Sequence, residues 1–401
     1  MSTLVTTALS ADGPVGIRGA LELERTARGV VPHRLPAAAR AQFPDDYIAL
    51  VEAQPCGVRL AFRTDAATVE LETLPTKTVW AGAPQERDGV YELLVDGRPV
   101  QRTTVPGGDT QRMDTAGRAH IVPGLPGRAR FGGLGNAMKD VEIWLPHTER
   151  TELIALHTDA PVHAPAPTGR ATWLHHGSSI SHCSETPNPT DTWPAVAAAL
   201  AGVDLVNLGL GGNALLDPFT ARAIRDTPAD LISLKLGINL VNTDAFRLRS
   251  FGPAVHGFLD TVREGHPGTP LLVVSPILCP PVEDAPGPTV ADPDSPTLRF
   301  ITRSSPAEVA DGRLSLNAIR RELALITAQR AKSDPHLHYA DGRDLYGAED
   351  YTALPLPDDL HPDTAGYRLI GERFAGLAFG PTGPFASFAS FAPFDPRPIT
   401  R

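Results

Sequence analysis

Hydrophobic and polar positions alternate with a period of two through much of the first part of the chain. Such alternation is typical of strands that bury one face. In residues 89–105 the pattern turns back at Asp96-Gly97, a dipeptide that favours a tight hairpin. No helical stripe of comparable length interrupts the strands, which predicts an antiparallel β-sandwich of jelly-roll-like type over residues 1–162. The other predicted strand segments are 57–74, with a turn at Asp65, 139–146 and 151–158, and a short helix can form at 36–43.

A proline-rich stretch separates this pattern from a second one. Pro161, Pro165 and Pro167 remove backbone donors and restrict the chain, which predicts a linker at residues 163–170. Beyond it, short apolar runs alternate with longer stretches of helical period. Strands that are apolar throughout and separated by helices favour a parallel sheet covered on both faces, here over residues 171–380. The predicted strand and helix pairs are 171–177 with 192–202, 203–209 with 217–228, 229–237 with 251–267, 269–277 with 313–332, and 337–347 with 361–379.

Two segments fall outside both patterns. Residues 279–312 are far longer than an ordinary connection and rich in Pro and Asp, which indicates a lid-like insertion or a partly ordered excursion. The tail, residues 381–401, repeats a triplet that contains Phe. It therefore either packs onto the body through its Phe side chains or stays disordered.

Composition narrows the classes of function. The 401 residues carry a formal net charge of −10, with 42% hydrophobic and 20% charged residues. That balance is typical of a globular chain whose surface repels nucleic-acid phosphates. No apolar run reaches the roughly 18 to 20 residues of a membrane helix, and the N-terminus lacks the basic segment and apolar run of a signal peptide. We therefore expect a cytoplasmic protein without nucleic-acid or membrane partners.

The sequence predicts neither a metal nor a cofactor. Cys56, Cys183 and Cys279 are far apart and form no CxxC pair, so neither a disulfide framework nor a thiolate metal site is expected. The pair His336 and His338 has no acidic residues at a recognised ligand spacing. No GxGxxG run follows a predicted strand, which argues against a dinucleotide site.

The first strand end after the linker is rich in Ser and His. Residues 172–185 read TWLHHGSSISHCSE, with Gly177 before Ser178 and Ser179. Ligands bind at the carboxyl ends of parallel strands, so a Ser there has the position that a nucleophile needs. Taken alone, however, the segment is better explained as a loop whose Ser side chains satisfy backbone groups.

Three later segments change that balance. The run NxGxxG extends from Asn207 to Gly212 after the second strand, and a Gly there can turn its N–H toward a neighbouring loop. Asn239 follows the third strand and can present an amide donor. Asp358 stands three residues before His361, so its carboxylate can fix one ring nitrogen while the other faces outward as a base. Each segment alone also has a structural explanation, as loop residues or a helix cap.

In this order and at successive strand ends, the segments resemble the SGNH hydrolases, also called the GDSL family of esterases and lipases, over roughly residues 170–377. The resemblance implies a flavodoxin-like three-layer α/β/α domain in which Ser179 is the nucleophile and Asp358 and His361 complete a catalytic triad. It also implies an oxyanion hole made by the backbone N–H groups of Ser179 and Gly212 and the side chain of Asn239.

The match to the family has two departures. Ser178 and Leu240 stand where the family usually has Asp, so the hydrogen bonds that brace these two loops must be made differently. His176, His182, Glu185 and Asn213 lie near the predicted triad in sequence or at a neighbouring strand end, and they are candidates for substrate contact.

These residues predict a serine esterase that hydrolyses an acyl ester, such as an acetyl ester, of a small molecule or carbohydrate through an acyl-enzyme. The sequence does not separate this reaction from an acyltransferase that uses a sugar or natural-product alcohol as acceptor. A carbohydrate-binding protein on an inactive SGNH scaffold is the alternative from another class. The layout of a sandwich before an SGNH domain is similar to that of carbohydrate deacetylases, although a fold does not fix a substrate.

Overall fold

The structure is a computed structural model that describes residues 4–81, 87–114 and 118–390. The described chain forms two compact units. Unit 1 comprises residues 4–169 and 187–190, and unit 2 comprises residues 170–186 and 191–390. The change from one unit to the other at residue 170 falls at the end of the predicted linker, although a short strand of unit 1, Val162–His163, includes the linker's first residue.

Unit 1 consists of strands with two short helices near its start. The elements are β1 (Val5–Ala8), β2 (Gly16–Arg18), β3 (Glu22–Arg25), β4 (Val30–His33), α1 (Ala37–Gln42), α2 (Asp46–Ala53), β5 (Arg59–Thr64), β6 (Val69–Trp80), β7 (Val90–Val95), β8 (Arg98–Thr104), β9 (Asp109–Met113), β10 (Ala119–Val122), β11 (Gly127–Phe131), β12 (Lys139–Trp144), β13 (Arg150–Thr158) and β14 (Val162–His163). The helix predicted at residues 36–43 is present as α1, whereas α2 and the strands β1 to β4, β9 to β11 and β14 lie outside the segments predicted as helix or strand.

These strands form the predicted β-sandwich. One sheet has the order β10-β9-β6-β13-β4-β3, with β1 on β13 and β11 on β6, and the other has the order β14-β5-β12-β7-β8, with β2 on β5. The hairpin predicted at Asp96-Gly97 joins β7 to β8, and both turn residues have positive φ, as a tight hairpin turn requires. The pairing is antiparallel except between β6 and β9, which are parallel. Apolar side chains from both sheets, such as Phe62 and Leu71, share one core.

Unit 2 alternates strands and helices. Its elements are β15 (Thr172–Gly177), α3 (Ser179–His182), α4 (Trp193–Ala201), β16 (Asp204–Gly209), α5 (Pro218–Asp226), β17 (Leu231–Lys235), α6 (Ile238–Asn242), α7 (Leu248–Gly265), β18 (Leu271–Val274), β19 (Thr289–Ala291), β20 (Phe300–Thr302), α8 (Leu316–Arg330), β21 (Leu337–Ala340), α9 (Ala348–Ala353) and α10 (Thr364–Phe374), which a π-helical turn at Ala375–Phe379 continues.

The sheet of unit 2 is parallel throughout and has the order β16-β15-β17-β18-β21. Numbered along the sheet's own strands this is 2-1-3-4-5, the flavodoxin-like order, so the predicted α/β/α fold is confirmed. Gly177 at the end of β15 pairs in register with Gly209 at the end of β16. The loops after β15, β16 and β17 therefore meet at one edge, where the order of the strands reverses.

The two irregular segments are also described in part. Residues 279–312 contain the antiparallel hairpin of β19 and β20, and Arg313 just after them forms an ion pair with Asp244 at 2.8 Å. At the start of the predicted tail, Phe385 is fully buried and packs on Phe379 with ring centroids 5.4 Å apart. The rest of that tail, residues 391–401, lies outside the described residues.

Candidate active site

Ser179 lies at the junction between a buried strand and a short helix. Strand β15 ends at Gly177, and α3 begins at Ser179. Ser178 is the N-cap, and its hydroxyl accepts a hydrogen bond from the Ile180 N–H at 3.2 Å. The first amides of a helix have no partner within the helix, so the N–H of Ser179 is available at this strand end.

The side chains of Ser179, His361 and Asp358 form one hydrogen-bonded chain. Ser179 Oγ is 2.9 Å from His361 Nε2, and His361 Nδ1 is 2.7 Å from Asp358 Oδ2. The other carboxylate oxygen of Asp358 accepts from the backbone N–H groups of Leu360 and His361. These bonds fix the ring with Nδ1–H toward the carboxylate and Nε2 toward the serine, which is the arrangement that lets Nε2 accept the serine proton.

Burial and charge act in opposite directions on this pair. Burial disfavours the imidazolium of His361, but the hydrogen bond that the ring donates to Asp358 and the negative charges of Glu185 and Asp358 outweigh it and raise the pKa of His361. Burial likewise opposes ionisation of Asp358, yet its bonds to His361 lower the pKa of the carboxyl. The side chains of both residues are about one-seventh exposed, so the pair is largely removed from water.

The other serines of the opening segment have different surroundings. Ser178 and Ser181 are fully buried, and Ser181 Oγ lies 2.8 Å from His175 Nε2. Ser184 is exposed and lies beyond the end of α3. Ser179 alone of these four serines is hydrogen-bonded to His361 among the described residues, and it is partly exposed.

The loops after β16 and β17 are tied to the Ser179 loop by hydrogen bonds. The Leu210 N–H donates to the Gly177 carbonyl at 2.8 Å, and the Ala214 N–H donates to Asn239 Oδ1 at 3.1 Å. Gly212, between these two contacts, has φ of 71°, a left-handed conformation that favours glycine. Because Asn239 Oδ1 accepts from the Ala214 N–H, the side-chain nitrogen Nδ2 of Asn239 is the group that can donate to a ligand.

Asn207 and Gly209 of the NxGxxG run have a structural role. Asn207 Nδ2 donates to the Ser181 carbonyl at 2.9 Å, and Asn207 Oδ1 accepts from the Gly209 N–H at 2.8 Å. A Cβ on Gly209 would lie 2.6 Å from the backbone nitrogen of His182, so only glycine lets α3 approach β16 this closely. The run therefore holds the helix that begins at Ser179.

The two departures from the family pattern are accommodated locally. Ser178 supplies the N-cap oxygen that an Asp would otherwise supply. Leu240 is fully buried, where an apolar side chain needs no hydrogen-bond partner.

Three of the predicted substrate contacts are less accessible than expected. His176 and His182 are each 1% exposed, and Asn213 is 8% exposed. His176 Nδ1 lies 2.8 Å from the Leu208 carbonyl, and Asn213 Nδ2 donates to the Gly211 carbonyl. Neither this burial nor these bonds to backbone carbonyls support direct substrate contact by the three side chains.

Residues 279–312 supply neighbours of Asp358, Asp359 and His361 that the sequence pattern did not identify. Phe300, the first residue of β20, donates its N–H to the Asp358 carbonyl at 2.8 Å, and its ring lies edge-on to His361 at 5.9 Å between centroids. Arg299 forms an ion pair with Asp359 at 3.2 Å. The length and composition of residues 279–312 indicated a functional segment, but only the fold shows which of its residues reaches His361.

Two further findings concern the whole described chain. Among residues 4–81, 87–114 and 118–390, no cluster of three or more His, Cys, Asp or Glu side chains is arranged to hold a metal ion. None of the helices described there combines the length and the apolar character needed to cross a bilayer.

The chain matches two family models. Residues 176–369 match the GDSL-like lipase/acylhydrolase family, and residues 15–153 match the model of the N-terminal domain of SsfX3. A comparison with curated proteins gives no significant match.

Similar solved structures extend over nearly the whole chain. The salicylyl-acyltransferase SsfX3 from a tetracycline biosynthetic pathway is similar with a TM-score of 0.75 and 27% identity, over 92% of this chain and 95% of that chain. A protein of Bacteroides ovatus ATCC 8483 described as a GDSL-like lipase has a TM-score of 0.65 and 16% identity, over 92% and 96%. A family two carbohydrate esterase from Clostridium thermocellum, in complex with cellohexaose, has a TM-score of 0.56 and 13% identity, over 81% and 92%. The last two likenesses concern the fold alone.

Proposed function

We propose that this chain, whose residues 176–369 belong to the GDSL-like lipase/acylhydrolase family, is an esterase that works through an acyl-enzyme on Ser179. The observation that carries the proposal is the hydrogen-bonded chain from Ser179 Oγ through His361 to Asp358, with distances of 2.9 and 2.7 Å. Such a chain activates a serine hydroxyl that is otherwise a weak nucleophile.

The reaction proceeds in two halves. His361 Nε2 takes the hydroxyl proton as Ser179 Oγ attacks the ester carbonyl, and Asp358 stabilises the imidazolium that results. The N–H groups of Ser179 and Gly212 and the Asn239 amide hold the oxyanion. His361 then returns the proton to the departing alcohol. In the second half it activates a water molecule that releases the acid.

A labelling experiment tests the nucleophile directly. A fluorophosphonate probe should modify Ser179, and Ser179→Ala should abolish both labelling and turnover of a short p-nitrophenyl ester. The matched control is Ser178→Ala, which should keep most of both signals because the Ser178 hydroxyl caps a helix and does not contact His361. Labelling that persists in Ser179→Ala would refute the assignment, and an unlabelled wild-type chain would favour the binding-protein alternative.

Acyl transfer to an alcohol is a second candidate, favoured by a specific observation. The whole-chain similarity to a salicylyl-acyltransferase, at 27% identity, extends through the N-terminal domain. The two reactions share the first half and differ only in what attacks the acyl-enzyme.

Partition of the acyl group separates the two candidates. The enzyme is incubated with a p-nitrophenyl ester and increasing concentrations of a small alcohol or sugar, and free acid and new ester are both measured. A hydrolase yields mainly acid at every acceptor concentration. A transferase yields new ester that increases with the acceptor while release of p-nitrophenol is preserved.

A further inference from the structure

A second carboxylate lies beside the imidazole ring of His361. Glu185 Oε1 is 3.8 Å from His361 Nδ1, the same ring nitrogen that Asp358 bonds at 2.7 Å. The other oxygen of Glu185 accepts a hydrogen bond from the Tyr367 hydroxyl at 2.7 Å. His361 therefore has two acidic neighbours at its Nδ1 edge, one in its own loop and one from the segment after α3.

The position of Glu185 is set from two sides. Cys183 ends α3 in a left-handed conformation, with φ of 61°, and its N–H bonds to the Ser179 carbonyl, which turns the chain back toward the site. Tyr367, on α10, is fully buried. Burial, together with the nearby charge of Glu185, raises the pKa of the Tyr367 hydroxyl well above its ordinary value, so it stays protonated and donates.

We propose that Glu185, held by the Tyr367 hydroxyl, is a positioning residue that stabilises the imidazolium of His361 during proton transfer from Ser179. This inference rests on the proposed function. It goes beyond the triad because it assigns a second negative charge, beside that of Asp358, to the Nδ1 edge of the same ring. The side chain of Glu185 is about one-third exposed, so water screens the interaction in part. At this short separation the charge still favours the protonated ring.

The other titratable and charged groups around His361 differ from Glu185 in their partners. Asp358 is bonded directly to the ring, whereas Asp359 is paired with Arg299. The thiol of Cys279 donates to the Asp359 carbonyl, and burial raises the pKa of that thiol, so it is neutral. Asp359 also accepts from the Tyr351 hydroxyl at 3.0 Å, so it differs from Glu185 in having the guanidinium of Arg299 as a further partner.

The experiment compares pH profiles of wild type and Glu185→Gln. Gln keeps an oxygen that accepts from Tyr367, so the substitution removes the charge and preserves the shape. The readouts are kcat/KM for a p-nitrophenyl ester and the rate of fluorophosphonate labelling, each from pH 5 to 9. The labelling rate depends on the reactivity of Ser179 without any acceptor step. Glu372→Gln, which removes a carboxylate paired with Arg368 on the same helix α10, is the matched control.

The expected result is a displacement of the acid limb along the pH axis. Without the Glu185 charge the imidazolium is less stable, so the pKa of His361 falls and the acid limb of both profiles moves to lower pH. The plateau rate falls by about threefold to tenfold because a weaker base is a poorer proton acceptor. Glu372→Gln should leave the limb in place. Tyr367→Phe, which frees Glu185 to move away, should shift the limb in the same direction as Glu185→Gln.

Two results overturn the inference. One is an acid limb in Glu185→Gln that superimposes on that of wild type, even if activity falls equally at every pH. The other is an equal shift in Glu372→Gln, which indicates only net charge. Either result leaves Ser179 labelling in wild type intact, so failure here is distinct from failure of the proposed function.

Discussion

Ser178 Oγ accepts the Ile180 N–H at 3.2 Å, one residue away from the Ser179 hydroxyl that contacts His361. Two adjacent serines thus have opposite roles. The first is fully buried and caps a helix, and the second is partly exposed and faces the base. This pairing explains how the chain tolerates a serine where related enzymes usually have Asp, because the cap requires only an oxygen that accepts.

Ser178→Ala should therefore lower stability more than chemistry. Loss of an N-cap acceptor typically costs about 0.5 to 2 kcal/mol. We expect the free energy of unfolding, measured by denaturant titration, to fall within that range while most of the ester turnover remains. Ser178→Asp restores the acceptor and should recover part of the lost stability. A loss of turnover as large as that of Ser179→Ala would contradict the assignment of Ser179 as nucleophile.

Asn239 offers a test of the oxyanion hole with an internal control. Asn239→Ala removes the proposed donor and also the acceptor for the Ala214 N–H. Loss of one such donor lowers turnover by about 10² to 10³. Asn239→Asp keeps an oxygen for Ala214 but places a negative charge where the oxyanion forms, so we expect a loss at least as large as that in Asn239→Ala. The measurement is kcat for a p-nitrophenyl ester, with thermal unfolding to confirm that both variants fold.

The pH dependence of wild-type turnover follows from the state of His361. In the proposed mechanism the neutral ring is the base, so kcat/KM should fall as pH decreases through its pKa. The bond to Asp358 and the charge of Glu185 raise that pKa above 6.5. Because the pKa of Asp358 is lowered below 3.8, the carboxylate remains ionised across this range. Asp358→Asn should move the acid limb to lower pH and reduce the plateau rate. A limb that stays in place in this variant would show that another group controls it.

The period-two alternation of hydrophobic and polar residues predicted the sandwich, and the alternation of apolar runs with helical stretches predicted the parallel sheet, because both patterns extend over many residues. Short elements were less predictable. Helix α3 has four residues and its bounds depend on the Ser178 cap and the close approach at Gly209, neither of which has a periodic signature. The hairpin of β19 and β20 lies in a Pro-rich segment whose pattern predicts a loop.

The same contrast applies to the site. Ser179, Asp358 and His361 could be proposed from the order of strand-end segments. Glu185 could be named only as a candidate for substrate contact, and Phe300 not at all. Their relation to His361 depends on a turn after α3 and on a hairpin far along the chain. Conversely, His176 attracted attention by its closeness in sequence to Ser179, yet its side chain is buried and bonds to the Leu208 carbonyl. Closeness in sequence says little about which face of a strand a side chain takes.

Lys235 provides a prediction about stability with a defined dependence on pH. It is the last residue of β17 and only 2% exposed. Burial, with repulsion from Arg320, lowers the pKa of its ammonium group from 10.5 to about 8. A cation with a lower pKa in the folded state than in the unfolded state makes folding less favourable below both values. The cost is fully present below pH 8, decreases between pH 8 and 10.5 as the folded state releases its proton first, and is absent above that range.

Lys235→Met should consequently stabilise the protein at pH 7 by roughly 2 kcal/mol, somewhat less than the cost of the shift because methionine does not reproduce the lysine packing. The gain in the free energy of unfolding should shrink as pH rises from 8 to 10. Lys332→Met, at an exposed position, is the control and should change stability little at any pH. If Lys235→Met is less stable than wild type at pH 7 and the difference does not vary with pH, the buried ammonium forms favourable contacts that outweigh its desolvation. A difference that does not vary with pH would show that the pKa of the Lys235 ammonium group is not lowered in the folded state.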